Sequence, residues 1–126
     1  MAYDLTPAPA GQPPARRRNA VLEALELFRA GEGNARLSTV VAFLYLCENE
    51  GLCISELAAA AGMTLATASR AARSLSEPGE PGALAPAMGL AELRRQGKVH
   101  ALYLTPAGRA LRARLDATIV QATTIA

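Results

Sequence analysis

A chain of 126 residues, 51% of them apolar, has room for one domain with a small core, and no apolar run reaches the length of a membrane span. Aromatic residues contribute only 4% and tryptophan is absent, so the interior must be aliphatic and alanine-rich, which favours closely packed helices over a sheet. The formal net charge of +2 selects no partner class by itself, and without an apolar secretory segment near the amino terminus the chain is expected to be cytoplasmic.

The first eighteen residues hold four of the eight prolines and the run Arg16, Arg17, Arg18, and they predict a flexible basic arm. A folded domain is expected over 19–126. Asn19 is a helix cap, and Val21, Leu22, Leu25 and Phe28 recur at three- and four-residue steps until GEGN at 31–34 stops the pattern. Ser38 is expected to cap a second helix with Val40, Val41, Phe43, Leu44 and Cys47 inward, ending near Gly51. Leu52, Cys53 and Ile54 form a very short extended segment. Ser55 is then expected to cap a third helix, whose Leu57, Ala58 and Ala61 face inward and which Gly62 ends through a positive φ.

Thr64 opens a fourth helix two residues later, which makes ISELAAAAGMTLATASRAARSL a helix, a tight turn and a second helix. Ala68, Ala71, Ala72 and Leu75 share its inner face. The outer face carries Leu65, Ala66, Thr67, Ser69, Arg70 and Arg73, short side chains followed by arginines, a pattern that suits a DNA major groove. SEPGEPGALAPAMG, residues 76–89, is a long proline-glycine loop. Leu90–Glu92 and Val99–Thr105 predict a hairpin whose tip, RRQGK, projects Arg94, Arg95 and Lys98. Pro106 starts a last helix with an apolar stripe of Leu111, Leu115, Ile119 and Ala122.

The charge is unevenly placed along these elements. Over 20–63 Arg29 and Arg36 stand against six glutamates, whereas over 64–114 eight basic residues stand against three glutamates. A basic half that begins at the helical corner points to an anionic partner. The last stripe has no further element in the chain to cover its distal half, and a second copy would supply that cover.

SELAAAAGMTLATASRAARSL with its Ser69-Arg70 pair, LTPAGRAL at 104–111 and the basic RRQGK tip together resemble the winged helix-turn-helix of the MarR family of bacterial transcriptional regulators, over roughly 19–124. The resemblance implies a mainly helical fold with a small β-hairpin wing, dimerising through its N- and C-terminal helices. Double-stranded DNA is the implied partner, read as an inverted-repeat operator by a homodimer, as a repressor in the bacterial cytoplasm on the nucleoid. The implied recognition residues are Thr64, Leu65, Ala66, Thr67, Ser69, Arg70 and Arg73, and the wing residues Arg94, Arg95 and Lys98. Val21, Leu25, Phe28, Leu111, Leu115 and Ile119 fall on the implied dimer helices. The family usually carries an Asp-x-Arg element in the wing, and ELRRQGK has no aspartate.

That departure favours an alternative, a winged-helix protein-interaction module that does not read DNA. A third reading adds an input: a small-molecule effector lodged near Phe28, Phe43 and Tyr45, or oxidation at Cys47 or Cys53, against the plainer reading of these side chains as core. Cys47 and Cys53 lack metal-ligand spacing, and His100, the only histidine, is a wing residue rather than a ligand. No nucleophile-base pair, paired carboxylates or phosphate-binding glycine loop is present, so neither an enzyme nor a cofactor is expected.

Overall fold

The computed structural model describes residues 19–121. The arm at 1–18 and Ala122 lie outside them. Seven elements follow in chain order: α1 (Ala20–Gly31), α2 (Leu37–Glu48), α3 (Ile54–Ala61), α4 (Leu65–Ser74), β1 (Ala91–Gln96), β2 (Val99–Leu104) and α5 (Pro106–Gln121). The fold is mainly helical with one antiparallel hairpin, a winged helix-turn-helix. No helix among the described residues is long and apolar enough to cross a membrane.

Local chemistry accounts for most boundaries. The Asn19 side chain accepts from the Leu22 N–H at 2.9 Å and caps α1, and Thr64 does the same for α4 by accepting from the Thr67 N–H at 3.1 Å. Two starts differ from expectation. α2 begins behind Arg36 rather than Ser38: the Arg36 carbonyl accepts from the Thr39 and Val40 N–H groups, and no side chain caps the helix. α3 begins behind Cys53 rather than Ser55, because the preceding residues are held extended against β2. The Leu102 N–H donates to Leu52 at 2.8 Å, the Gly51 N–H donates to Leu102 at 2.7 Å, and Cys53 bridges Ala101. The Glu56 carboxylate then reaches back to accept from the Cys53 N–H at 2.9 Å, and this bond lowers the Glu56 pKa.

The buried side chains among the described residues form one cluster, in which Phe43, Leu46, Leu57, Leu75, Leu102 and Leu104 are fully enclosed. Each such side chain contributes about 2 kcal/mol by leaving water. On α2 the inward set is Thr39, Val40, Ala42, Phe43 and Leu46, so the stripe is rotated from the expected one and Leu44 is exposed. α4 packs on both α2 and α3 through Ala68, Ala71 and Ala72, where the small side chains permit close approach.

The hairpin is longer than the sequence suggests. β1 extends through Gln96, in register with β2 from Ala91 opposite Leu104 to Gln96 opposite Val99. The tip is therefore only Gly97 and Lys98, with Gly97 supplying the left-handed turn at φ 64°, and Arg94 and Arg95 belong to the strand. At the other end LTPAG has a specific geometry. The Thr105 hydroxyl donates to the Gly89 carbonyl at 2.6 Å and accepts from the Gly108 N–H at 3.0 Å, which caps α5 and ties it to the loop. A Cβ on Gly108 would lie 2.1 Å from the Leu90 carbonyl oxygen, so no other residue fits without backbone movement.

Candidate nucleic-acid interface

The helical corner is built by α3, a three-residue turn and α4. Gly62 takes a left-handed conformation at φ 67°, the Met63 N–H donates to the Ala58 carbonyl at 2.9 Å, and Thr64 starts the next helix. α4 buries Ala68, Ala71, Ala72 and Ser74 and leaves Leu65, Ala66 and Arg70 exposed, with Thr67 and Ser69 half-buried at the edge. The exposed face thus holds Thr64, Leu65, Ala66, Thr67, Ser69 and Arg70 together.

Arg73 behaves differently from Arg70. Its guanidinium turns to the proline-glycine loop and donates through Nε to the Gly82 carbonyl at 2.6 Å. Its backbone carbonyl also accepts from the Leu84 N–H, and the Ser74, Leu75 and Ser76 carbonyls accept from Met88, Leu90 and Gly89 in turn. The loop is laced to the end of α4, and Arg73 is one of the laces. One donor of Arg73, expected on the DNA-facing side, is thus engaged with the loop.

The wing has a comparable division. Lys98 is exposed at the tip, and Arg95 is exposed with its Nε donating to the Gly97 carbonyl at 3.2 Å. Arg94 lies on the opposite face of the strand. It donates through Nε and Nη2 to Glu92 at 2.9 and 2.6 Å and stacks over the Tyr103 ring at 4.4 Å, while Gln96 donates to the Tyr103 hydroxyl at 2.6 Å. Glu92-x-Arg94 therefore makes an ion pair in the wing although no aspartate is present. The base of the hairpin is held by Glu50, which accepts from the Leu104 N–H at 3.3 Å and from Arg112 of α5 at 3.4 Å.

The residues expected on the dimer helices separate by burial. Phe28 and Leu115 are enclosed in the core, Phe28 meeting Phe43 edge-on at 5.5 Å, and Leu111 is half-buried against it. Val21, Leu25 and Ile119 remain exposed, along with Leu22 and Val120. Of the expected effector-pocket side chains, Phe28 and Phe43 are core, although Phe28 also borders a recess of about 400 Å³ with Met88 and Leu111, and Tyr45 lines a separate groove of about 350 Å³ with Leu44, Cys47, Arg112 and Ile119. Burial pushes the Cys47 thiol up to about 11, with nearby Arg112 opposing the shift and Asp116, Glu48 and Glu50 adding to it, so Cys47 is a thiol and not a thiolate near neutrality. Among the described residues no three His, Cys, Asp or Glu side chains gather as a metal site.

Arg36 carries no sequence signal of function, yet it shares a cleft with Thr67 and Arg70. Some thirty residues separate it from Thr67 and Arg70 in the chain, and the packing of α2 on α4 joins them.

No family model matches the sequence, and no curated protein does. The structure is similar to the solved structure of a transcriptional regulator of the MarR family from Silicibacter pomeroyi, with a TM-score of 0.53 and 25% identity over 80% of this chain. The match spans 64% of that regulator's length. The chain has a MarR-like winged-helix fold.

Proposed function

We propose, from a MarR-like winged helix that presents an unpaired arginine and short polar groups on the second helix of its corner, that this protein is a DNA-binding transcriptional regulator. The observation that carries the reading is the outer face of α4, where Thr64, Leu65, Ala66 and Arg70 are exposed and Thr67 and Ser69 lie at the edge. Short side chains let the helix approach base edges, and Arg70 reaches guanine or phosphate. The wing adds Arg95 and Lys98 to the flanking backbone or minor groove, with Arg94 stiffening the hairpin from its other face. The Glu92–Arg94 pair supports this reading over a pure protein-interaction module, since the wing keeps an acid-arginine pair without an aspartate.

The finer reading is a repressor that acts in the bacterial cytoplasm, on the nucleoid, by occupying an inverted-repeat operator as a homodimer. Exposed Val21, Leu22 and Leu25 on α1 and Ile119 and Val120 on α5, two helices that pack together, supply apolar surface for a two-fold contact. Two recognition helices one turn of DNA apart give the avidity that one short helix lacks.

The test is selection from pooled genomic fragments by the purified chain, repeated over a range of salt. Enrichment of a two-fold symmetric sequence, with affinity falling steeply as salt rises, supports the reading. Recovery of fragments without any common sequence would sink it.

A further inference from the structure

A cleft of about 300 Å³ opens between the start of α2, the body of α4 and the loop at 84–85. Its polar lining comes from Arg36, Ser38 and Thr39 on one side and Thr67, Arg70 and Ser74 on the other. No carboxylate among the described residues lines it, and none pairs with either arginine; the ion pairs formed between described residues belong to Arg29, Arg94 and Arg112. Two arginines from separate parts of the chain thus line one recess without a counter-charge. The Thr67 hydroxyl accepts from Thr64 at 3.0 Å and donates to no described residue. A concave site lined by two unpaired arginines and several hydroxyl-bearing residues matches an oxyanion with several acceptor oxygens, and the planar guanidinium matches phosphate best.

The cleft shares Thr67 and Arg70 with the face of α4 assigned to the major groove. A helix seated in that groove has sugar-phosphate backbone along both of its rims. We propose that the cleft receives a phosphodiester of the DNA backbone, gripped by Arg36 just ahead of α2 and Arg70 from α4 at the rim of the groove that α4 enters; this rests on the DNA-binding reading above. Arg36 then acts as a sequence-independent anchor that sets how deeply α4 seats, and it assigns α2 a place in the interface beside the corner and the wing.

The experiment compares the full chain with Arg36→Ala, Arg36→Lys and, as a control for loss of one charge elsewhere, Arg109→Ala on α5. Each is titrated with duplexes of several sequences across a salt series. Arg36→Ala is expected to weaken every duplex by a similar factor, roughly tenfold, and to reduce the salt slope by about 0.9, the share of one phosphate contact. Arg36→Lys is expected to keep the slope while losing part of the affinity, and Arg109→Ala to keep both. In a second arm inorganic phosphate is added without DNA, and amide shifts at Ser38 and Thr67 are expected to move and to be reproduced by duplex.

If the unaltered chain binds no duplex, the DNA reading falls and this proposal with it. If it binds but Arg36→Ala behaves like Arg109→Ala, the proposal alone is overturned. Loss of the phosphate response in Arg36→Ala with unchanged duplex binding also overturns it, and marks the cleft as a site for a small free anion.

Discussion

A methyl group at position 108 would meet the Leu90 carbonyl oxygen at 2.1 Å, and backbone cannot give way as a side-chain tip can. Gly108→Ala is therefore expected to destabilise the fold by about 3 kcal/mol, the upper range for overpacking, seen as an earlier midpoint in urea unfolding. An unchanged midpoint would mean that α5 and the loop separate more easily than their hydrogen bonds suggest. Cys47 presents the opposite case, a residue whose surroundings suppress chemistry. With its pKa pushed from the usual 9.0 to about 11, its thiolate fraction at pH 8 is about a hundredth of that of an ordinary thiol. Alkylation of Cys47 at pH 8 should be slower than that of a small free thiol by about that factor, followed by mass spectrometry of the labelled peptide. The folded state holds the proton more tightly than the unfolded one, so this contribution to stability is complete below pH 9 and is lost as pH climbs from 9 towards 11. A thiol held in this way is a poor oxidant sensor.

Among the elements, α4 has two ends with different tasks. Arg70 stands free beside the cleft, while Arg73, three residues on, is committed to the Gly82 carbonyl. Arg73→Ala should loosen the loop, so limited proteolysis between 77 and 83 should speed up severalfold, while the salt slope of duplex binding stays as it was. A fall in that slope by about one contact would return Arg73 to the DNA-facing set. The wing shows the same economy at another scale. Arg94 is drawn to Glu92 and the Tyr103 ring on one face, and the neighbouring Arg95 is left to the other face, because strand side chains alternate. The Glu92–Arg94 pair is exposed and worth at most about 1 kcal/mol, so its effect is to hold the hairpin's shape rather than the whole fold.

For the whole molecule the decisive question is whether two chains join. Leu25→Glu together with Ile119→Glu places charges on exposed apolar positions without touching the core, so helical content should hold while the sedimenting species drops from twice the 13.1 kDa chain mass to once that mass. An unaltered chain that already sediments as a monomer would remove the dimer and with it the two-half-site reading.

The helices, the corner and the hairpin were legible in the sequence because their signals are local. The caps at Asn19 and Thr64 act over two or three residues, the left-handed glycine at 62 acts on its own backbone, and apolar spacing repeats within a turn or two. Where a signal is shared between neighbours, longer-range contacts decide: Ser38 and Ser55 are sound caps in isolation, but pairing of Leu52 with β2 fixes the second start earlier, and the strand pairing draws Arg94 and Arg95 off the expected tip. Burial and partnership were decided only in three dimensions. Phe28 and Leu115 had the same spacing as Val21, Leu25 and Ile119, yet Phe28 meets Phe43 and both enter the core while the others stay at the surface. Arg36 and Arg70 came to face one cleft because α2 packs on α4, a contact between residues far apart in the chain that no short-range pattern encodes.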